Sequence, residues 1–293
     1  MRVLITGHAG FVGRHFWQVL DTPDNELHGA DIKLGMDCRR IFACDDRRFD
    51  LVLHCAAVVG GRAMIDGEPL AVATDLAIDS DLFQWALRTR PGRIVYFSSS
   101  AAYPTRLQGP VHHRRLVECD VDLTDVDQPD AVYGWVKLTG EMLAAHARAE
   151  GLDVTVVRPF SGYGPDQDLT YPFPSFIRRA TTGAAPFQVW GDGRQVRDWI
   201  HIDDVVGSVL ALVAAGVDGP VNLCTGRATS MDDLAAMTMA AAGHRAPLEH
   251  LVGAPAGVQW RVGDPAGMLR WYEPRWSLES GVADAVDRAR LAA

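Results

Sequence analysis

Tyr133 and Lys137 stand four residues apart in a stretch, residues 131–145, whose apolar spacing predicts a helix, so the two side chains share one face a single turn apart. A phenol, with a free pKa of about 10, is a poor base at neutral pH, but an ammonium beside it stabilises the phenolate. Upstream, residues 93–97 read as a strand ending in Ser98-Ser99-Ser100. A serine hydroxyl there can hold a substrate oxygen while the tyrosine takes or returns its proton. Such a group suits exchange between a carbinol and a ketone, and that exchange needs a hydride carrier.

The start of the chain supplies a place for one. An apolar run, Val3-Leu4-Ile5, meets a turn holding Gly7, Gly10 and Gly13, after which Phe11, Val12, Phe16, Trp17 and Leu20 follow a helical period. Strand, glycine turn and helix in that order make a dinucleotide-binding turn, in which backbone N–H groups at the helix start (Phe11, Val12) meet a pyrophosphate. A second strand, residues 27–32, carries Asp31. Its carboxylate would accept hydrogen bonds from a ribose 2′-hydroxyl and repel a 2′-phosphate, which favours NAD over NADP, with Lys33 and Arg39 nearby to blunt the repulsion. Asp37 is a candidate for the adenine amino group. The third strand, residues 50–57, ends in Ala56 and Ala57, small enough for a cofactor to lie close.

Farther along the chain, Ala71, Leu76, Ile78, Leu82, Phe83, Trp85 and Leu87 predict one long amphipathic helix, and residues 154–157 a further strand. Strands alternating with helices predict an α/β fold, a Rossmann-type doubly wound parallel sheet, over residues 1–165. Residues 166–293 are expected to form a smaller α/β substrate domain. There the pattern gives a helix at 172–180, strands at 187–190 and 221–223, a hairpin-like turn at 191–199, a helix from 203 capped by Asp203, and one from Met231 capped by Ser230.

A net charge of −9 and a pI of about 5.5 leave no basic field for nucleic acid. No run is long enough for a membrane span, and Met1-Arg2 lead straight into a strand, so a cytoplasmic location is expected. Five cysteines without a Cys-x-x-Cys pair fit reduced thiols, and ten histidines without ligand spacing argue against a metal. His112 and His113 are expected in a solvated loop.

Thr6-Gly-His-Ala-Gly-Phe-Val-Gly13, Asp31, His54-Cys-Ala-Ala57, Ser98-Ser-Ser-Ala-Ala-Tyr-Pro104, Tyr133 with Lys137, residues 158–165 and residues 191–204 together resemble the extended short-chain dehydrogenases/reductases, in the branch of nucleotide-sugar epimerases and dehydratases. The resemblance implies a homodimer that holds NAD and acts on a GDP- or UDP-linked sugar. Counting back four residues from Tyr103, as that motif does, places the catalytic serine at Ser99, with Ser100 the alternative and a candidate substrate contact. It also implies that Arg197 and Arg261 meet the nucleotide diphosphate and that Pro159 borders the cofactor. Arg178, on the helix at 172–180, is a further substrate candidate.

Val59-Gly-Gly-Arg62 and residues 187–193 are similar to GDP-fucose synthase and GDP-mannose 3,5-epimerase. The acid/base cysteine of those enzymes has Ala101 in its place here, and the partner's place falls at about Tyr171, so that route to carbons 3 and 5 is disfavoured unless Cys119 or His112 substitutes. Ser100 and Ala101 also stand where the dehydratases carry an acid. Ser161 replaces the usual asparagine, which implies an altered sugar pocket. Trp190 is either a substrate-binding residue resembling that of the GDP-sugar enzymes or a core tryptophan. What remains is oxidation and re-reduction at one carbon, most simply carbon 4, with a keto-sugar reductase as the alternative.

Overall fold

Alternate residues of β1 (Arg2–Thr6) point to opposite faces. Val3 and Ile5 pack with Phe16 and Leu20 of α1 (Phe11–Leu20), while Leu4 packs with Phe42, Val52 and Ile94 on the other side. Strands buried on both faces belong to a parallel sheet covered by helices. The structure, a computed structural model, describes residues 1–111 and 114–291, so the loop expected at His112 and His113 lies outside the described residues.

The first half runs β2 (Glu26–Ala30), α2 (Cys38–Cys44), β3 (Leu51–His54), α3 (Arg62–Gly67), α4 (Pro69–Val72), α5 (Thr74–Thr89), β4 (Arg93–Phe97), α6 (Ala131–Ala149) and β5 (Val154–Pro159). The second runs β6 (Ser161–Tyr163), α7 (Pro172–Thr181), β7 (Phe187–Trp190), β8 (Val196–Arg197), β9 (Trp199–His201), α8 (Ile202–Ala214) and β10 (Val221–Leu223). It ends with β11 (Thr229–Ser230), α9 (Met231–Ala241), β12 (Leu248–Leu251), β13 (Trp260–Arg261), α10 (Ala266–Leu269) and α11 (Leu278–Leu291).

Six parallel strands in the order β10-β5-β4-β3-β1-β2 form the main sheet. The strand order reverses between β1 and β3, and ligands of such sheets bind beyond the carboxyl ends of the strands at that point. After residue 200 the chain crosses back, as α8 packs with α1's core and β10 extends the sheet beside β5. A separate core of Phe173, Phe176, Phe187, Leu234, Val282 and their neighbours joins α7, α9, α11 and β7.

Three local expectations are corrected. The single helix expected through Ala71–Leu87 is two: α4, opened by Pro69, ends after one turn, and Ala73 is both its C-cap and the N-cap of α5. The hairpin expected at 191–199 does not form: β8 pairs with β11 and β13, and β9 pairs in parallel with β6. Asp203 does not cap α8; His201 does, its Nδ1 accepting from the Asp203 N–H at 3.2 Å.

Two glycines set α6 against the end of β4. A Cβ on Gly140 would lie 1.7 Å from the Tyr96 hydroxyl, and one on Gly134 would lie 2.4 Å from the Ala101 carbonyl oxygen. Backbone and ring therefore approach where no larger residue fits, and Tyr133 and Lys137 are carried down onto the strand end.

Candidate active site

Gly7 follows β1 with φ +69°, and a Cβ there would come within 2.8 Å of the Cys55 and Ala56 backbone, so the β1 turn and the end of β3 close on each other at the reversal point. A Cβ on Gly13 would lie 2.2 Å from the Gly7 carbonyl oxygen. Gly10 is the N-cap of α1 and provides no side-chain capping bond, which leaves the first-turn N–H groups of Phe11 and Val12 for an anion. Ala56 and Ala57 lie just past β3, with the Ala56 N–H held by Thr6 Oγ1 at 3.2 Å. This shape fits the pyrophosphate of a dinucleotide.

Asp31 sits at the mouth of β2, buried, and its two oxygens accept from the Ala9 N–H at 2.9 Å and the Lys33 N–H at 2.8 Å. A carboxylate has about four acceptor sites, so each oxygen retains a lone pair for a ribose hydroxyl. Asp37 caps α2 and is engaged by the Arg39 guanidinium at 2.6 Å, which holds its carboxyl below the usual range; an adenine amino group would have to share it. Pro159 closes β5 in register with Leu223.

Lys137 is buried, its Nζ 5.8 Å from the Tyr133 ring centre and 5.5 Å from that of Tyr96. Burial opposes its charge, but the acidic groups around it, Tyr133, Asp79, Asp75 and Cys55, raise it above its ordinary value. Tyr133 is half-buried one residue before Gly134, whose bare α-carbon touches the Ala101 carbonyl. Ser99, also half-buried, caps the turn at residues 100–102, its Oγ accepting from the Ala101 N–H at 3.1 Å, so its own O–H is left to donate. Ser98 is committed elsewhere, to Glu141, and Ser100 is buried.

The acids beneath Lys137 were missed in the sequence. Asp79 accepts from the Tyr96 hydroxyl at 2.6 Å and lies 3.2 Å from His54 Nε2, whose Nδ1 is 2.9 Å from Thr6 Oγ1. Asp75 accepts from the Val58 N–H at 2.6 Å through one oxygen; its other oxygen is buried with no hydrogen-bond partner among the described residues. Burial pushes Asp75 up to about 6, against the pull of Lys137. The signal was available: Asp75 and Asp79 lie one turn apart on the stripe of α5 that buries Ile78 and Leu82.

A second group gathers beyond the start of α6. Arg62 Nη1 donates to both oxygens of Asp130 at 2.8 Å, and Arg261 Nη2 donates to one of them at 2.7 Å. Arg197 joins them, but among the described residues it donates only to the carbonyls of Val196 and Ala256, at 2.8 and 3.1 Å. Burial and the neighbouring Arg261 bring Arg197 down to about 9. Asp130 was also missed, and the expected pair Arg197 and Arg261 sits together with it.

Tyr171 precedes α7 and has Tyr133 as an electrostatic neighbour; burial pushes its phenol up. Ser161 is half-buried at the head of β6. Arg178 does not join the arginine group: α7 turns Phe173, Phe176, Ile177 and Ala180 inward, which leaves position 178 on the outward side. Trp190 is not a core residue. It ends β7 on the outward side of the alternation, 39% exposed.

The sequence profile described as the NAD dependent epimerase/dehydratase family matches residues 3–224. GDP-mannose 3,5-epimerase 1 of Oryza sativa subsp. indica is 27% identical over 294 residues, which cover 90% of this chain and 74% of that protein. A dTDP-4-dehydro-6-deoxy-D-allose reductase of Streptomyces bikiniensis is 28% identical, covering 89% of this chain and 87% of its own. Among solved structures, the dTDP-glucose 4,6-dehydratase of Streptomyces venezuelae with NAD bound superposes with a TM-score of 0.86 at 25% identity, over 99% of this chain and 97% of that one. The UDP-glucose 4-epimerase of Thermus thermophilus in complex with NAD gives 0.84 at 21% identity, over the whole of both chains. With its glycine turn, acid-tipped second strand and parallel sheet, the chain belongs to the NAD dependent epimerase/dehydratase family.

Proposed function

We propose that the protein is an NAD-dependent nucleotide-sugar epimerase acting at carbon 4 through a transient 4-keto sugar. When bound, NAD supplies hydride acceptance and return beside the sugar. Tyr133 takes the proton of the sugar hydroxyl and gives it back to the same oxygen after the sugar has turned. Lys137 stabilises the phenolate from one turn below, and Ser99, its Oγ fixed by the Ala101 N–H, donates to the sugar oxygen. Gly7, Gly10, Gly13, Asp31, Ala56 and Ala57 hold the cofactor. Arg197 and Arg261 hold the diphosphate, Ser161 and Tyr171 border the sugar, and Trp190 stacks on the base.

The observation that carries this reading is Ala101. It is buried against the helix that bears Tyr133, and its methyl group moves no proton, so Tyr133 is the proton carrier of the set. Cys119 does not stand in for it. It lines a cavity of about 450 Å³ walled by Ala102, Arg106, Asp122 and Leu138, among others, and by none of Ser99, Tyr133 and Lys137. His112 lies outside the described residues.

The test is incubation with UDP-, GDP-, dTDP- and CDP-sugars in deuterated water, with products read by NMR. Inversion at carbon 4 without deuterium at carbons 3 or 5 is expected; deuterium at either overturns the reading in favour of a 3,5-epimerase. Tyr133→Phe should lower kcat by about 1,000-fold or more with NAD still bound. The 28% identity to a keto-sugar reductase supports a second reading, net reduction. Denaturing the purified protein separates the two, since a recycling epimerase releases stoichiometric NAD and a reductase instead consumes NADPH in turnover.

The same reading includes a homodimer through α5 and α6, where Leu76, Leu87, Trp135 and Met142 stay exposed. Sedimentation should give twice the chain mass.

A further inference from the structure

We infer that Arg62 is a third guanidinium of the diphosphate site, set against the phosphate next to the sugar, with Asp130 as its exchangeable counter-ion. The inference rests on the nucleotide-sugar reading and adds a residue to it. Three guanidiniums, from α3, β8 and β13, gather at the buried Asp130, and with Asp66 on Arg62 as the second carboxylate the group keeps one positive charge over. Asp66, one turn along α3, takes Arg62 Nε and Nη2 at 2.8 Å each, which fixes the guanidinium and leaves Nη1 to Asp130. A diphosphate carries the charge that is missing.

Arg62 is held in place by its neighbours. A Cβ on Gly61 would lie 2.2 Å from the Thr170 carbonyl oxygen, so the start of α3 is pinned under the segment before α7 and its first side chain is turned towards Asp130. Above it, Gly257 has φ +69°, and a Cβ there would stand 3.2 Å from Arg62 Nη1 and 3.4 Å from Arg197 Nη2. The backbone thus roofs both guanidiniums at close range and forces them to one side.

Asp130 behaves as a placeholder. It is the N-cap residue of α6, yet its side chain makes no capping bond and is spent instead on Arg62 and Arg261. Burial works against its charge, while Arg261 and Arg62 hold it below the usual carboxylate range. A phosphate entering this group competes with Asp130 for the same N–H donors. Because Asp130 lies three residues before Tyr133, the phosphate met by Arg62 is the one that joins the sugar.

The experiment is calorimetric titration of the full chain, in parallel, with UDP, GDP, dTDP and the matching monophosphates. Arg62→Gln should weaken the best-bound diphosphate tenfold or more and leave its monophosphate within about twofold. Arg62→Lys, which keeps the charge but not the fork, should lie between. Asp130→Asn should tighten the diphosphate severalfold, because the competing carboxylate is gone. Equal losses on mono- and diphosphate, or an unchanged diphosphate affinity in folded Arg62→Gln, would reduce Arg62 to a tie between α3 and α6 and overturn the inference. If Arg62→Gln does not fold, Arg62→Lys and Asp130→Asn decide, and no change in either overturns it. Wild-type protein that binds none of the nucleotides overturns the nucleotide-sugar reading instead.

Discussion

Two groups of buried charge in this molecule are built to opposite plans. Under β5, Arg158 donates to Glu141 at 2.8 and 2.6 Å, to the Tyr103 hydroxyl at 3.1 Å and to the Glu118 carbonyl at 2.9 Å, and Tyr103 passes on to Asn222 at 2.6 Å. Each guanidinium nitrogen has an acceptor and the one positive charge meets one negative charge. At the arginine group, by contrast, Arg197 has carbonyls and no carboxylate among the described residues. A saturated network gives a fixed shape, whereas an unsaturated one marks where a charged ligand completes the structure. The bed under Lys137 is a third case, with an excess of acid: Asp75, Asp79 and one ammonium.

The sharpest break falls on the saturated group. Glu141→Gln leaves Arg158 buried without its counter-ion and should cost about 3–5 kcal/mol in urea unfolding; a loss under 1 kcal/mol would mean the pair is not a structural lock. The acid-rich bed comes next. Asp75 has a folded pKa of about 6 against 3.8 for the free carboxyl, so the unfolded chain releases this proton first and its ionisation costs stability. From pH about 4 to about 6 its contribution should fall by roughly 2–3 kcal/mol as pH rises, then stay constant. Subtracting the Asp75→Asn curve from the wild-type curve isolates that slope, and a flat difference would contradict it.

Arg197→Met tests the unsaturated group from its other side. Removing a desolvated cation without a counter-ion should raise stability by about 1–3 kcal/mol, while diphosphate affinity drops by about 10- to 100-fold. A fall in stability would place Arg197 with the saturated kind. The smallest effect belongs to an exposed pair. Arg227 and Glu279 lie 2.6 Å apart on the surface, and Arg227→Ala should change stability by less than about 1 kcal/mol, less still in high salt.

Legibility in the sequence follows the same division. Elements whose signal is local were readable: β4, β7 and β10 fall where their apolar runs placed them, and Ser230 caps α9 with Asp233 answering in a capping box. The spacing of Tyr133 and Lys137 on one helix was equally local. What failed depends on distant partners. The 191–199 segment looked like a hairpin because nothing near it says that β8 pairs with residues 229–230 and 260–261. Arg62 and Asp130 are 68 residues apart and meet only after α3 has been pinned. Asp75 and Asp79 were hidden for another reason: acids on a helix read as solvated, and only the fold shows that their stripe faces Lys137.

The grip of Asp31 on the Ala9 N–H has a consequence for redesign. Replacing this carboxylate to admit a 2′-phosphorylated cofactor would also cut the tether between the second strand and the loop that cradles the pyrophosphate. A successful switch of coenzyme therefore has to rebuild that tether from another acceptor at the same time as it adds a cation.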